Sequence, residues 1–411
     1  MEGIGEIYNS DLGMSLNLVN LKNVIHKPLS GEWGDGEGET NILRTTNFRN
    51  DGKIDLTEVV KRNIDKKKII QKQLLYGDTI IEKSGGSPNQ PVGRVVYFDQ
   101  NDGVFLCNNF TSVIRPKSEI NNRYLFWFLF NNHLTQNTLK YQNKTTGIIN
   151  LQLERYIEEL KIPLPPLPIQ KRIAEILDAA DTLKRKDQEL LKKYDELAQA
   201  IFIDMFGDIM LNEHTFEVVK FGNVCDELFL GLTSKVDYVN KGGFPLIRAT
   251  DINKGILSFE NVKYISDEQH RKLTARRITK RGDVLISKSG SLGTCAIVDS
   301  DNEFSTYESI FTVRTKSNLF NNIFLVSLVR NPSFQERLIG GKVGAGVSHL
   351  NLNMLRDFEF PLPPIELQEK YGEISINIEK QIDVTKVNNI SSENIFNTLI
   401  QKAFNGELVN Q

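Results

Sequence analysis

Cysteine, histidine and net charge are all in short supply. Three cysteines, Cys107, Cys225 and Cys295, lie far apart in 411 residues and are odd in number, which excludes a disulfide framework and offers no metal-ligand spacing. They read as buried small hydrophobes. The five histidines, His26, His133, His214, His270 and His349, are scattered and form no HExxH pattern, so each reads as structural. No stretch reaches the ~20 apolar residues that span a bilayer, and the opening MEGIGEIYNSD has neither a basic n-region nor an apolar core. A cytosolic protein with no membrane partner is expected. A net charge of −2 with a pI near 6.3 excludes a protein that coats nucleic acid through bulk charge, while leaving room for a local basic face.

Catalytic patterns are missing as well. There is no GxSxG and no GxxxxGK[ST] loop, since Gly341-Lys342 is followed by valine and lacks the upstream glycine. The glycines of GDGEGE at 34–39 alternate with acids that would repel a phosphate. Acid–lysine neighbours such as Glu82-Lys83 lack the separation of a metal-dependent nuclease site, and no NPPY-like methyltransferase segment is found. Binding rather than chemistry is the expected role.

What is present is written twice. PLPPLPIQ at 163–170 returns as PLPPIELQ at 361–368, a shift of 198. Proline fixes φ, lacks an amide donor and is tolerated at a helix start, so the phrase reads as strand-to-helix punctuation. A PxxP ligand for an aromatic groove would sit in a polar, disordered tail, whereas these flanks are apolar and periodic. Sliding the chain against itself aligns much more. Arg44 in ILRTTNF meets Arg248 in LIRATDI at 204, YGDTIIEKSG meets RGDVLISKSG at 205, VGRVVYF meets LGTCAIV at 200, and the lysines closing TSVIRPK and FTVRTK meet at 199. Order is kept while the offset drifts, the mark of a tandem duplication. That fits a chain too long for one core, with 40% hydrophobic and 25% charged residues.

Each copy has a Gly-Asp turn (Gly77-Asp78, Gly282-Asp283) launching a short alternating strand, TIIEKS or VLISKS, with more strands at short intervals and one late apolar helix, RYLFWFLFNN or NIFLVSLVRN. An α+β class with a mostly irregular or antiparallel sheet is expected. Behind each proline phrase the period changes. Ile169, Ile173, Ile176, Ala180, Leu183, Asp187, Leu190, Tyr194, Leu197 and Ile201 alternate spacings of four and three. Adding 198 gives a matching seam, polar in its middle: Leu367, Tyr371, Ile374, Ile378, Gln381, Thr385, Asn388, Ser392, Ile395 and Leu399. Two long helices pairing antiparallel are predicted, ended by Gly207 and Gly406. The expected division is a pseudo-symmetric pair of globular domains, 1–162 and 208–360, with spacer helices at 163–207 and 361–411.

Heads held roughly 55 Å apart, at 1.5 Å of rise per helical residue, suit a ligand that repeats along a line, and double-stranded DNA with two half-sites is the candidate. Basic residues lead up to both Gly-Asp turns, and at the 205 shift Lys66, Lys67 and Lys72 fall on Arg271, Lys272 and Arg277. Phosphate contact is their functional reading, a solvated helix face the structural one. Arg44, Thr45, Thr46 and Asn47, with Arg248, Thr250 and Asp251, carry groups able to pair with base edges. Lys83 and Ser84, with Lys288 and Ser289, stand where a strand enters a Gly-rich loop; turn chemistry is their alternative.

In combination, the two proline phrases, AEILDAAD at 174–181, the terminal AFNGEL at 403–408 and the head segments SGEWG, LRTTNF and QPVGR resemble the specificity subunit of a Type I restriction–modification system, over essentially the full chain. The resemblance implies two target-recognition domains, each reading one half of a bipartite, asymmetric DNA site. It implies that the helices act as ruler and as docking surface for two methyltransferase subunits carrying S-adenosylmethionine, that restriction (translocase) subunits using ATP and Mg²⁺ join them in the bacterial or archaeal cytoplasm, and that this chain holds no cofactor or metal and is not itself catalytic. The heads have diverged, so no base contact carries over. A stand-alone DNA methyltransferase or nuclease with unfamiliar motifs is the rival, and would act with S-adenosylmethionine or Mg²⁺ from the chain alone. An adaptor whose heads bind proteins is a third reading.

Overall fold

A computed structural model describes residues 17–87, 89–145, 148–233, 235–240, 242–253, 255–288, 294–339 and 350–408. Contacts divide the chain into two units, Met1–Gln188 with Val387–Gln411, and Glu189–Lys386. Both are α+β.

In the first unit the strand behind the Gly-Asp turn is an inner member of a four-stranded antiparallel sheet, ordered Leu29–Ser30, Thr111–Ile114, Thr79–Glu82, Val95–Tyr97. All four residues of Thr79–Glu82 are buried, against the alternation its sequence suggests. Ile81 packs with the late helix Asn122–Leu134, while Ile80 packs with Leu43, Phe48 and Val113. With both faces covered, no side of the strand meets water. A mixed sheet supplies the second cover: Asp35–Leu43 pairs antiparallel with Val60–Asn63 and parallel with Phe105–Cys107.

The second unit repeats this plan. Cys225–Leu230, Ile310–Thr315, Val284–Ser287 and Cys295–Ile297 form its antiparallel sheet, with Val284–Ser287 buried throughout. Phe244–Ile247 pairs antiparallel with Lys263–Ile265 and parallel with Ser305–Thr306. Its late helix, Asn322–Arg330, is followed at once by Pro332–Leu338.

The Gly-Asp turns are pinned identically. Gly77 and Gly282 take φ of 93° and 91°, where a side chain would be strained. Asp78 accepts from the Leu75 amide at 2.8 Å and from the Arg115 fork at 2.8 and 2.7 Å. Asp283 accepts from the Lys280 amide at 2.7 Å and from the Arg314 fork at 2.8 Å twice. Each arginine also donates to a carbonyl before the turn, of Gln73 or of Ile278, at 2.9 Å. A bidentate, desolvated pair therefore fixes the start of each central strand.

The proline phrases close the heads. Lys161–Pro163 pairs antiparallel with Leu18–Asn20, and Glu359–Leu362 with Glu217–Lys220. The glutamine ending each phrase is almost inaccessible, Gln170 at 1% and Gln368 at 0%. Gln170 accepts from the Asn121 amide at 2.8 Å and donates to the carbonyls of Pro165 at 2.7 Å and Glu119 at 3.2 Å. Gln368 does the same with Asn321 at 2.9 Å, Pro363 at 2.7 Å and Leu319 at 3.0 Å. Asn121 and Asn321 cap the late helices, so one side-chain amide ties the root of each long helix to the root of the late helix.

The long helices are Leu167–Phe206 and Ile365–Phe404. In the first unit Ile173, Ala174, Leu177 and Ala180 share a core with Phe396, Ile400 and Ala403. In the second, Phe202 and Phe206 share one with Tyr371, the start of one helix again beside the end of the other. The predicted seam is followed only in part. Tyr371, Ile378, Thr385 and Ser392, seven apart, are buried, but Leu183, Leu190 and Leu197 are 48%, 40% and 44% exposed. On the first helix Ile173 and Ala180 are buried and Asp187, Tyr194 and Ile201, at the same seven-residue spacing, are half-buried, while the predicted row through Leu183 is replaced by one through Gln170, Leu177 and Lys184.

His133 closes the late helix of the first unit. Burial, and secondarily the Arg94 charge, push its imidazole down to about 4. Because that lies below the ~6.5 of an unfolded chain, its contribution to stability is complete above pH ~6.5 and lost as pH falls toward 4. His133→Phe is expected to flatten that acid limb, measured by denaturant melts of the first unit at pH 5 and pH 7.5.

Candidate nucleic-acid interface

The first basic stretch folds as the helix Lys66–Lys72, capped by Asp65, whose carboxylate accepts from the Lys67 amide at 2.8 Å. Lys66 and Lys67 are exposed, with no carboxylate in ion-pair range among the described residues. Lys68 and Lys72 both grip Glu32, at 3.1 and 2.9 Å, and lower the pKa of that carboxylate, through the Lys72 hydrogen bond above all. Lys72 therefore serves the head's own charge balance and leaves the set of free cations.

The second stretch folds in a different register. Its helix, Asp267–Thr274, is capped by Ser266, which accepts from Gln269. Cap to cap the shift is 266 − 65 = 201, so Lys66 and Lys67 correspond to Asp267 and Glu268, not to Arg271 and Lys272 as the 205 shift of the following turn suggests. Acids in the first turn and bases in the last suit the helix dipole. Lys272 pairs with Glu268 at 2.6 Å on the surface, whereas Arg271 is exposed without a carboxylate partner among the described residues. Arg277 lies 5.9 Å from the Phe229 ring.

The segments LRTTNF and LIRATD form matching 3₁₀ turns, Thr45–Asn47 and Ala249–Asp251. Asn47 accepts from the Arg44 amide at 2.9 Å and donates to the carbonyls of Asp55 and Glu58, both at 3.0 Å. At 3% exposure it braces the loop. Asp251 accepts from the Arg248 amide at 2.8 Å and from its guanidinium at 3.1 and 2.9 Å. Arg248 is thereby held over its own turn. Arg44 and Thr45 are half-buried, and Thr250 is exposed.

Lys83 and Lys288 occupy equivalent places, their amides donating to Phe110 at 2.9 Å and Ser309 at 2.8 Å. Lys83 also donates to the Ser30 hydroxyl at 2.7 Å, and burial pushes its ammonium below the ordinary lysine pKa. Ser84 hydrogen-bonds Asn150 on the strand Ile148–Leu151, which pairs with Ser84–Gly86. Ser289 lies outside the described residues.

These loops sit on a duplicated scaffold that comparison identifies. The family model for the Type I restriction modification DNA specificity domain matches residues 36–193 and again 213–392. The chain belongs to this family. It is similar to the Type I restriction enzyme MjaVIII specificity subunit of Methanocaldococcus jannaschii, 24% identical over 280 residues, and to the EcoBI specificity subunit of Escherichia coli, 26% identical over 293. Those matches take in 64% and 62% of this chain and less than two thirds of either relative, 64% and 60%. The EcoKI specificity subunit of Escherichia coli K12 is 24% identical over 412 residues, covering 90% of this chain and 82% of its own length. The crystal structure of a Type I restriction-modification S subunit from M. genitalium shares the fold at TM-score 0.59 and 16% identity, over 96% of this chain and 97% of that one. A chain from work on complex assembly and conformational transition of the type I R-M system gives 0.55 at 16% identity, over 95% and 98%.

In this specificity-domain chain, the residues that sequence reading missed hold the loops in place. Arg94 forks onto Glu82 at 2.8 and 3.1 Å and donates to the carbonyls of Thr45 at 3.2 Å and Phe48 at 3.4 Å. The signal lay in the arginine of QPVGR and the glutamate of TIIEKS. The second copy has Thr294 and Ser287 there, so the clamp belongs to the first head. Among the described residues no group of His, Cys, Asp or Glu is placed to hold a metal, and no helix is long and apolar enough to cross a membrane. The three cysteines are free and buried; burial pushes the thiols of Cys107 and Cys295 up to about 11 and of Cys225 to about 12.

Proposed function

We propose that this chain is the DNA-reading, non-catalytic specificity subunit of a Type I restriction–modification complex, working in the cytoplasm. The observation that carries this reading is the double family match, each copy falling on one head and the long helix behind it. Each head reads one half of a bipartite, asymmetric duplex site. Divergence of the loops supports two different half-sites: Thr45-Thr46-Asn47 against Ala249-Thr250-Asp251, and the Arg94 clamp in one head alone.

The long helices set the spacing and dock two methyltransferase subunits. In support, they expose apolar side chains beyond the three leucines, with Val384, Val387 and Ile390 at 56%, 64% and 60%. S-adenosylmethionine then comes with the methyltransferase subunits, and ATP and Mg²⁺ with the restriction subunits. A net charge of −2 suits a chain whose partners supply part of the positive clamp around DNA.

Reconstitution tests this. Labelled methyl transfer from S-adenosylmethionine to duplex DNA is expected from the methyltransferase subunits only when this chain is added, and from the chain alone not at all. Methyl transfer or Mg²⁺-dependent cleavage by the purified chain would instead establish the stand-alone enzyme.

A further inference from the structure

On the first head a groove of about 880 Å³ opens between the N-terminal segment, the sheet strand Thr111–Ile114 and the helix Leu153–Glu159. Its floor is apolar, with Ile25, Leu153 and Ile157. Its walls are basic: Lys22, His26, Lys27, Lys83, Lys117 and Arg155 line it, against two carboxylates, Glu154 and Glu158. Lys22 and Lys27 are exposed and have no ion-pair partner among the described residues. Lys117 is aimed by its bond to the Asn23 carbonyl at 2.8 Å, and Arg155 by Glu159 at 2.8 Å. Lys83 enters beside Ser30, and two residues further on Glu32 anchors Lys68 and Lys72. The groove thus leads toward the basic helix.

The corresponding place on the second head has a different charge. Matching backbone bonds fix the correspondence: Leu21 to Leu160 and Phe221 to Phe358, both 2.8 Å, then Lys117 to Val24 and Lys316 to Val224, both 2.9 Å. In that register Lys22, His26 and Lys27 become Gly222, Asp226 and Glu227. Through the helix caps Gln152 and Asn351, Arg155 becomes Met354. Glu227 is itself taken by Arg314 at 2.7 Å. Lys83 and Lys117 keep lysine counterparts, and through the same caps the floor residue Ile157 becomes Arg356, whose side chain lies against Gly222. The second head thus gains one cation where the first has an apolar floor, but loses Lys22, Lys27 and Arg155 and takes on two carboxylates.

Resting on the DNA-reading function above, we propose that this groove seats the phosphate backbone of the duplex at the first head's half-site, a contact the second head does not make. Duplex DNA presents one negative charge per ~1.7 Å, and each lysine that meets a phosphate releases counterions, so a basic channel in which Lys22 and Lys27 have no ion-pair partner among the described residues is a polyanion seat. The apolar floor packs against sugar faces, and Glu154 and Glu158 bound the strand on one side.

The test is duplex binding by the full chain with its methyltransferase subunits, titrated with salt. Lys22→Gln with Lys27→Gln is expected to lower the log–log salt slope by about two and weaken binding about tenfold or more at low salt. Asp226→Asn, at the matching place on the second head, is expected to leave the slope unchanged. Neutral methylphosphonate linkages in one half-site should weaken the wild type but not the double variant, and in the other half-site should weaken both equally. An unchanged slope overturns the proposal, as does a double variant that stays as sensitive as the wild type to the linkages in both half-sites. Loss of methyltransferase association with the slope unchanged also overturns it, and assigns the groove to an acidic protein surface. A wild-type complex that binds no duplex at all would defeat the DNA-reading function itself, a separate outcome.

Discussion

Replacing Arg314 with methionine is expected to unfold the second unit while the first stays folded. The Asp283 side chain is 2% exposed and takes both branches of the Arg314 guanidinium, which also satisfies Glu227 and the Ile278 carbonyl. Methionine fills a similar volume but leaves a buried carboxylate alone. Removing one partner of a buried ion pair costs about 3–5 kcal/mol. That is a large share of the roughly 5–15 kcal/mol that holds a domain together. Arg115→Met should do the same to the first unit through Asp78, less severely because Arg115 has no second carboxylate. Both tryptophans, Trp33 and Trp127, lie in the first unit, so their fluorescence reports on it alone. The Arg314 variant should show an early circular-dichroism transition with the tryptophan transition unmoved; the Arg115 variant should shift the tryptophan transition. Coincident loss of both signals in the Arg314 variant would show that the units do not melt separately. Adding Asp283→Leu to Arg314→Met should recover part of the loss, because the stranded charge and not the missing contact is the main cost.

Charge reversal at Lys66 and Lys67 is expected to weaken duplex binding by the assembled complex about a hundredfold at low salt. These two lysines are exposed and unpaired among the described residues, whereas Lys72 is bound to Glu32. Lys72→Met should therefore change affinity little while releasing Glu32. In the second head Arg271→Glu should act more than Lys272→Glu, because Lys272 is balanced by Glu268. Equal effects from Lys72 and Lys67 would mean that the Glu32 pair opens on DNA and that both helices contribute as plain charge.

Much of the fold could be read from the chain because duplication tests each element against its copy. The Gly-Asp turns, the late helices and the proline phrases each appear twice, and each proves to have a shared backbone reason: an arginine fork, an asparagine cap, a buried glutamine. The interface was less legible. Lys72 looks like Lys67 in a sequence, and only Glu32, forty residues earlier and brought close by folding, separates them. The helix register was misjudged for a similar reason, since most of the extra residues before the second Gly-Asp turn lie after the helix, and caps rather than offsets fix a helix start. Asn47 was ambiguous for a chemical reason: an amide that braces its own loop has the same groups as one that pairs with adenine. Of the two rows of the heptad seam, the one through Ile173 and Ala180 is kept, while the leucine row, Leu183, Leu190 and Leu197, is left exposed because the buried face is turned by one residue.

The central claim, that each head specifies its own part of one site, is most directly tested by mapping methylated adenines across the genome of cells carrying this gene, lacking it, or carrying it with the first head exchanged for that of a relative. The account predicts two short specified blocks a fixed distance apart, present only with the gene, of which the exchange rewrites one and leaves the other and the gap unchanged. A single uninterrupted motif, or an exchange that alters both blocks together, would contradict it.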